Sequence, residues 1–190
     1  ISDIVNAFMG ATGIWSGTTA RTLKLIVSGT VGIGAGYVAG NGDPHTPYAK
    51  FYFAADSGRV AWVDIDWSDA RGMDLTQSTT NFKTFAMIYQ AGPVRHKGLN
   101  MTITATGTNS GAIGIYATND IILEDCNITA TGSDDNGSFA ITRGVFLSGV
   151  SKAVFNRCNI YAVSTAAANF NGGSAGVDTY INGELNTNMC

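Results

Sequence analysis

One spacing recurs through the second half of the chain and limits what it can fold into. Cys126, Cys158 and Cys190 stand 32 residues apart. The run Leu123-Glu124-Asp125-Cys126-Asn127-Ile128 returns as Phe155-Asn156-Arg157-Cys158-Asn159-Ile160, and Leu185–Cys190 opens a third copy. Gly114, Gly144 and Gly176 precede the three copies, separated by 30 and then 32 residues. A weaker copy, Met101-Thr102-Ile103-Thr104-Ala105-Thr106-Gly107, aligns with Cys126–Gly132 at an offset of 25. Self-similarity at such a period marks a stacked-repeat architecture, in which each unit buries its apolar face against its neighbours.

Helical arrays share this period, so composition has to choose. Ile, Val, Thr, Phe and Asn alternate within each repeat, and no stretch carries the i, i+3, i+4, i+7 apolar spacing of a helix pair. The chain has 24 Gly, 3 Pro and only 13% charged residues, a mix that suits short strands joined by tight turns. The repeats are therefore read as coils of an all-β solenoid, with residues about 32 apart lying above one another. That stacking places the three cysteines in one interior column as buried thiols. A zinc site is disfavoured because a ladder does not converge on one point, and a disulfide between neighbours would leave one cysteine over. It also stacks Asn127 against Asn159 and sets Asp125 beside Arg157.

The cysteine-centred rhythm of Leu123, Cys126 and Ile128, repeated with an asparagine after each cysteine, resembles right-handed parallel β-helix proteins of the pectate-lyase-like kind. Bacteriophage tailspikes are among them. The resemblance covers residues 98–190 by motif and residues 1–97 by composition alone. It implies a virion-associated or extracellular protein, a homotrimer assembled with other virion proteins, that recognises a bacterial surface polysaccharide. The alternatives it leaves are a polysaccharide lyase or glycoside hydrolase, and a non-catalytic structural or adhesin module.

Residues 1–20 read as a cap or linker, because Ser2–Gly10 has the makings of a short helix with a capping serine and a terminating glycine. Its expected role is a lid on the open end of the solenoid, or else a connector. Residues 21–97 hold four apparent strands (Thr22–Val27, Tyr48–Ala54, Val60–Trp67 and Phe82–Tyr89) and are either wider early coils or a separate β-rich subdomain. The chain begins at Ile1 and stops at Cys190 in mid-coil, which suggests a piece of a longer protein.

Chemistry concentrates in Trp62-Val63-Asp64-Ile65-Asp66-Trp67. On a strand Asp64 and Asp66 share one face, and paired carboxylates on such a wall can hydrolyse glycosidic bonds. Trp62 and Trp67 would stack on sugar rings. The competing reading is an outward face of solvated acids. No cofactor or metal is expected, with a calcium site from these acids and Asp69 and Asp74 as the one alternative. Asp134-Asp135-Asn136 and His45 read as turn residues, and so does His96 within Arg95-His96-Lys97. Gly34-Ala35-Gly36 is followed at once by turn residues and cannot open the helix a dinucleotide site needs. Gly172–Asp178 only approximates a calcium-binding nonapeptide. A net charge of −3 with thinly spread cations argues against nucleic acid. No apolar run reaches the roughly 18–20 residues of a helical membrane span.

Overall fold

The computed structural model describes residues 1–9, 21–43, 46–53, 60–78, 83–133, 141–165, 175–180 and 184–188. Cys190, His45, Asp134, Asp135, Asn136 and Gly172 lie outside the described residues. After helix α1 (Ser2–Met9) and strand β1 (Arg21–Thr30), the strands come in threes. The first coil is β2 (Tyr48–Phe53), β3 (Val60–Arg71) and β4 (Asp74–Ser78). The second is β5 (Lys83–Gln90), β6 (Val94–Lys97) and β7 (Asn100–Thr106). The third is β8 (Ser110–Ala117), β9 (Ile121–Glu124) and β10 (Asn127–Gly132), and the fourth β11 (Arg143–Ser148), β12 (Lys152–Asn156) and β13 (Asn159–Ser164). Strands β14 (Ala175–Tyr180) and β15 (Glu184–Asn188) start a fifth.

Each coil contributes one strand to each of three sheets, and the named strands pair in parallel. The opening sheet runs β2-β5-β8-β11-β14, the middle sheet β1-β3-β6-β9-β12-β15, and the closing sheet β4-β7-β10-β13. Strands on both sides of residue 97 share these sheets. The molecule is a parallel β-solenoid.

Strand alternation sends every second side chain into the tube. Val63, Val94, Ile121 and Ala153 form one interior column of the middle sheet, each 0% exposed. Ile65, His96, Leu123 and Phe155 form the next. Burying each such aliphatic or aromatic side chain contributes about 1.5–3 kcal/mol, which is how a chain with few charges holds a narrow core together. Gly114, Gly144 and Gly176 do share a column of the opening sheet. A Cβ at Gly114 would run into the carbonyl oxygen of Gly144 on the next coil and the Ile128 side chain of the closing sheet, so Gly114 marks a place where both come close.

One expectation changes in register. Met101 pairs with Ile128 rather than Cys126, an offset of 27 residues, and Leu99 takes the cysteine's place one coil below. The slip is two residues, an even number, so it leaves inward and outward faces unchanged. At the corner after the middle sheet, Gly98, Asp125 and Arg157 occupy equivalent places, with φ of 65°, 54° and 53°. The left-handed turn is thus a property of the corner, filled by glycine once and by costlier residues twice. There Arg157 grips Asp125 with two hydrogen bonds of 2.6 and 2.9 Å, as the repeat predicts.

Helix α1 lies against strand β2. Strand β2 is the last strand of the opening sheet, and its outer edge would present unpaired backbone groups. Asn6 Nδ2 donates to the Tyr52 carbonyl at 3.0 Å, and the Tyr52 N–H donates to Ser2 Oγ at 3.1 Å. Val5 is fully buried in the core. Ser2, Val5 and Asn6 thus tie the helix to this edge of the stack.

Candidate functional site

Trp62, Asp64 and Asp66 alternate with the buried Val63 and Ile65, so they stand on the outer face of the middle sheet. Register sets Asp64 between Lys24 on β1 and Arg95 on β6, and Lys97 between Asp66 on β3 and Glu124 on β9. Together with the exposed Ile26, these groups line a groove of about 310 Å³. Its three cations and three carboxylates balance.

The carboxylates are paired with cations rather than with each other. Arg95 Nη1 lies 3.4 Å from Asp64 Oδ2, and Lys97 Nζ lies 3.8 Å from Asp66 Oδ2. The Ser68 hydroxyl and N–H donate to Asp66 Oδ1 at 2.6 and 3.0 Å. Those bonds, with Lys97 adding a smaller share, hold the Asp66 carboxyl below the usual range. A glycosidase acid needs its pKa raised; Asp66 is displaced the other way. Among the described residues Asp64 Oδ1 and Arg95 Nε are buried without a hydrogen-bond partner, so that ion pair is loosely fitted. Cross-strand pairs of this kind stabilise modestly.

Trp67 corrects its assignment as a sugar platform. It shares the parity of Val63 and Ile65 and is only 1% exposed inside the tube, where no sugar reaches its ring. Trp62 alone of the two is on the outer face, half-buried.

His96 is a second correction. It is not a solvated turn residue but a fully buried member of β6. The Trp67 indole N–H donates to His96 Nδ1 at 3.1 Å. Nδ1 is therefore the acceptor, which leaves the proton on Nε2, facing Gln90 Oε1 at 3.2 Å. Gln90 Nε2 in turn donates to the Asp120 carbonyl at 2.8 Å. Burial pushes the imidazole pKa down to about 3. The network is satisfied and enclosed, which makes it a structural strut. Sequence reading missed it because Arg95, Lys97 and Gly98 around it look like a turn. The signal lay in its register with Ile65 and Leu123.

Cys126 and Cys158 are free, buried thiols, in accord with the interior column. Among the described residues no three histidine, cysteine or acidic side chains gather into a metal-binding group. Asn159 Nδ2 donates to Asn127 Oδ1 at 2.8 Å, the expected asparagine ladder.

The other two outer faces differ sharply from the charged one. On the opening sheet Tyr52, Tyr89, Tyr116 and Phe146 stack in register, with ring centroids 5.3, 4.9 and 5.3 Å apart. Tyr116 and Phe146 are 2% exposed and pack with Ile113 and Ile141 into a small second core. The closing sheet turns asparagines and threonines outward and carries Tyr161 and Val163, 61% and 49% exposed, on β13. No family model, curated protein or solved structure matches this chain.

Proposed function

We propose that this chain belongs to a right-handed parallel β-helix of the phage tailspike or tail-fibre kind, which recognises bacterial surface polysaccharide without cleaving it at Asp64 and Asp66. The observation that carries the reading is the parallel solenoid with long, rigid outer faces on which polar side chains repeat at each coil. An extended glycan is the ligand whose own repeat suits such a surface. Crossovers between parallel strands of one sheet are right-handed in about 98% of cases, which supports the handedness. The ion pairs support binding without cleavage: Asp64 and Asp66 each face a cation, and the lowered Asp66 pKa does not suit a general acid. A homotrimer displayed outside the cell on a virion, alongside other virion proteins, is the assembly this role calls for.

The experiment is incubation with bacterial lipopolysaccharide and capsular polysaccharide, followed by assays of retention and of new reducing ends. Retention with no new reducing ends is expected. The double variant Asp64→Asn, Asp66→Asn should fold and lose only about 1 kcal/mol in urea titration, the scale of exposed ion pairs. Reducing ends that appear with the parent and vanish in this variant would restore the hydrolase reading. Absence of retention would leave a scaffold.

A further inference from the structure

We infer that the outer face of the closing sheet is the glycan track, and that it selects uncharged polysaccharides. This rests on the polysaccharide-recognition reading and adds to it a location and a ligand class.

Outward positions on this sheet fall into columns parallel to the solenoid axis. Asn100, Asn127 and Asn159 form one. Asp74, Thr102 and Thr129 lead to Tyr161 in the second, and Thr76, Thr104 and Thr131 lead to Val163 in the third. Neighbouring strands are about 4.8 Å apart, so a chain laid along the axis meets the same side-chain chemistry at every coil. The hydroxyls of Thr102, Thr104, Thr129 and Thr131 make no hydrogen bond within the protein among the described residues. Each is free to donate once and accept twice, as a sugar hydroxyl is. The Asn159–Asn127 bond fixes the amide column in place.

Two independent features point to a sugar rather than to bare solvation. Tyr161, 61% exposed, follows Thr102 and Thr129 in its column, where threonine would continue the pattern. Its ring offers an apolar, polarisable face next to hydrogen-bonding groups, the pairing that the C–H face and hydroxyl rim of a pyranose require. The second feature is charge. The middle sheet carries Lys24, Asp64, Asp66, Arg95, Lys97 and Glu124 on its outer face. The closing sheet carries Asp74 at its first strand and otherwise Asn, Thr, Ser, Tyr and Val at the outward positions of β4, β7, β10 and β13. A uronate or sialate laid there would be desolvated without a cation to pair with it, whereas a neutral sugar has no charge to desolvate and its hydroxyls find partners.

The test uses the 190-residue chain on immobilised bacterial O-polysaccharides, one set neutral and one set bearing uronic acids. Retention by the neutral set is expected, and it should not change between low and high salt, because no charge pair is screened. Tyr161→Thr continues the threonine column, so the fold should be kept, and affinity should fall about tenfold, or about 1.4 kcal/mol. Lys24→Ala should leave neutral-glycan affinity unchanged. Salt-sensitive retention of the acidic set alone would overturn the inference and move the site to the charged groove. So would neutral-glycan binding that Tyr161→Thr leaves intact. If Tyr161→Thr instead lowers the oligomeric state in light scattering and spares glycan affinity, the face is a contact between copies of this chain. No retention of either set would remove the polysaccharide reading itself.

Discussion

Acidification from pH 7.5 to pH 5 is expected to cost the parent protein about 2 kcal/mol more than it costs a His96→Gln variant. In the folded state burial holds the His96 pKa at about 3, while in the unfolded chain it returns to about 6.5. Above pH 6.5 both states carry a neutral ring, and His96 contributes no pH dependence. Between 6.5 and 3 the unfolded chain binds a proton that the folded chain refuses, so stability falls as pH falls. The limiting slope is about 1.4 kcal/mol per pH unit. Glutamine removes the titrating group but can still accept from Trp67 and donate to Gln90. Urea midpoints at the two pH values give the comparison, and parallel pH dependences in parent and variant would show that the ring is accessible to protons after all.

Gly114→Ala should lower stability by about 3 kcal/mol, at the upper end of overpacking costs, and the melting temperature by about 10 °C. A methyl group there meets the Gly144 carbonyl oxygen and Ile128. The first belongs to the backbone of the next coil, which cannot rotate away as a side chain could. Gly32→Ala is the control. Nothing lies within 4 Å of its added Cβ, so the change should stay within about 0.5 kcal/mol. Thermal unfolding followed by circular dichroism distinguishes the two, and a Gly114→Ala protein as stable as its parent would show that Gly144 and Ile128 do not come close.

Local pattern carried a good deal of this architecture. The 32-residue period placed Asn127 under Asn159 and Asp125 under Arg157, and both pairs are hydrogen-bonded. Alternation put Asp64 and Asp66 on one face, opposite Val63 and Ile65, as found. The same alternation, carried two residues further, would have put Trp67 inside. Proximity to the acids suggests a sugar platform, but parity places the ring in the core. His96 illustrates the opposite difficulty. Its neighbours Arg95 and Lys97 are hydrophilic because they alternate with it, so the segment read as a turn although its central residue faces the core.

The partners of the acids depended on coil length. Asp64 meets Arg95 because that coil advances 31 residues, whereas the coil from Asn100 to Asn127 advances 27 and the one from Asn127 to Asn159 advances 32. A period read from the regular later coils could not supply the earlier values. Which cations stand beside Asp64 and Asp66 was therefore legible only in three dimensions.

Which side chains face in and which face out was determined by the sequence itself, since the pleat of a strand is a local property of the backbone. Which side chains stand above one another was decided by the tertiary structure. The corners between sheets absorb different numbers of residues in different coils, and only the assembled stack shows how many.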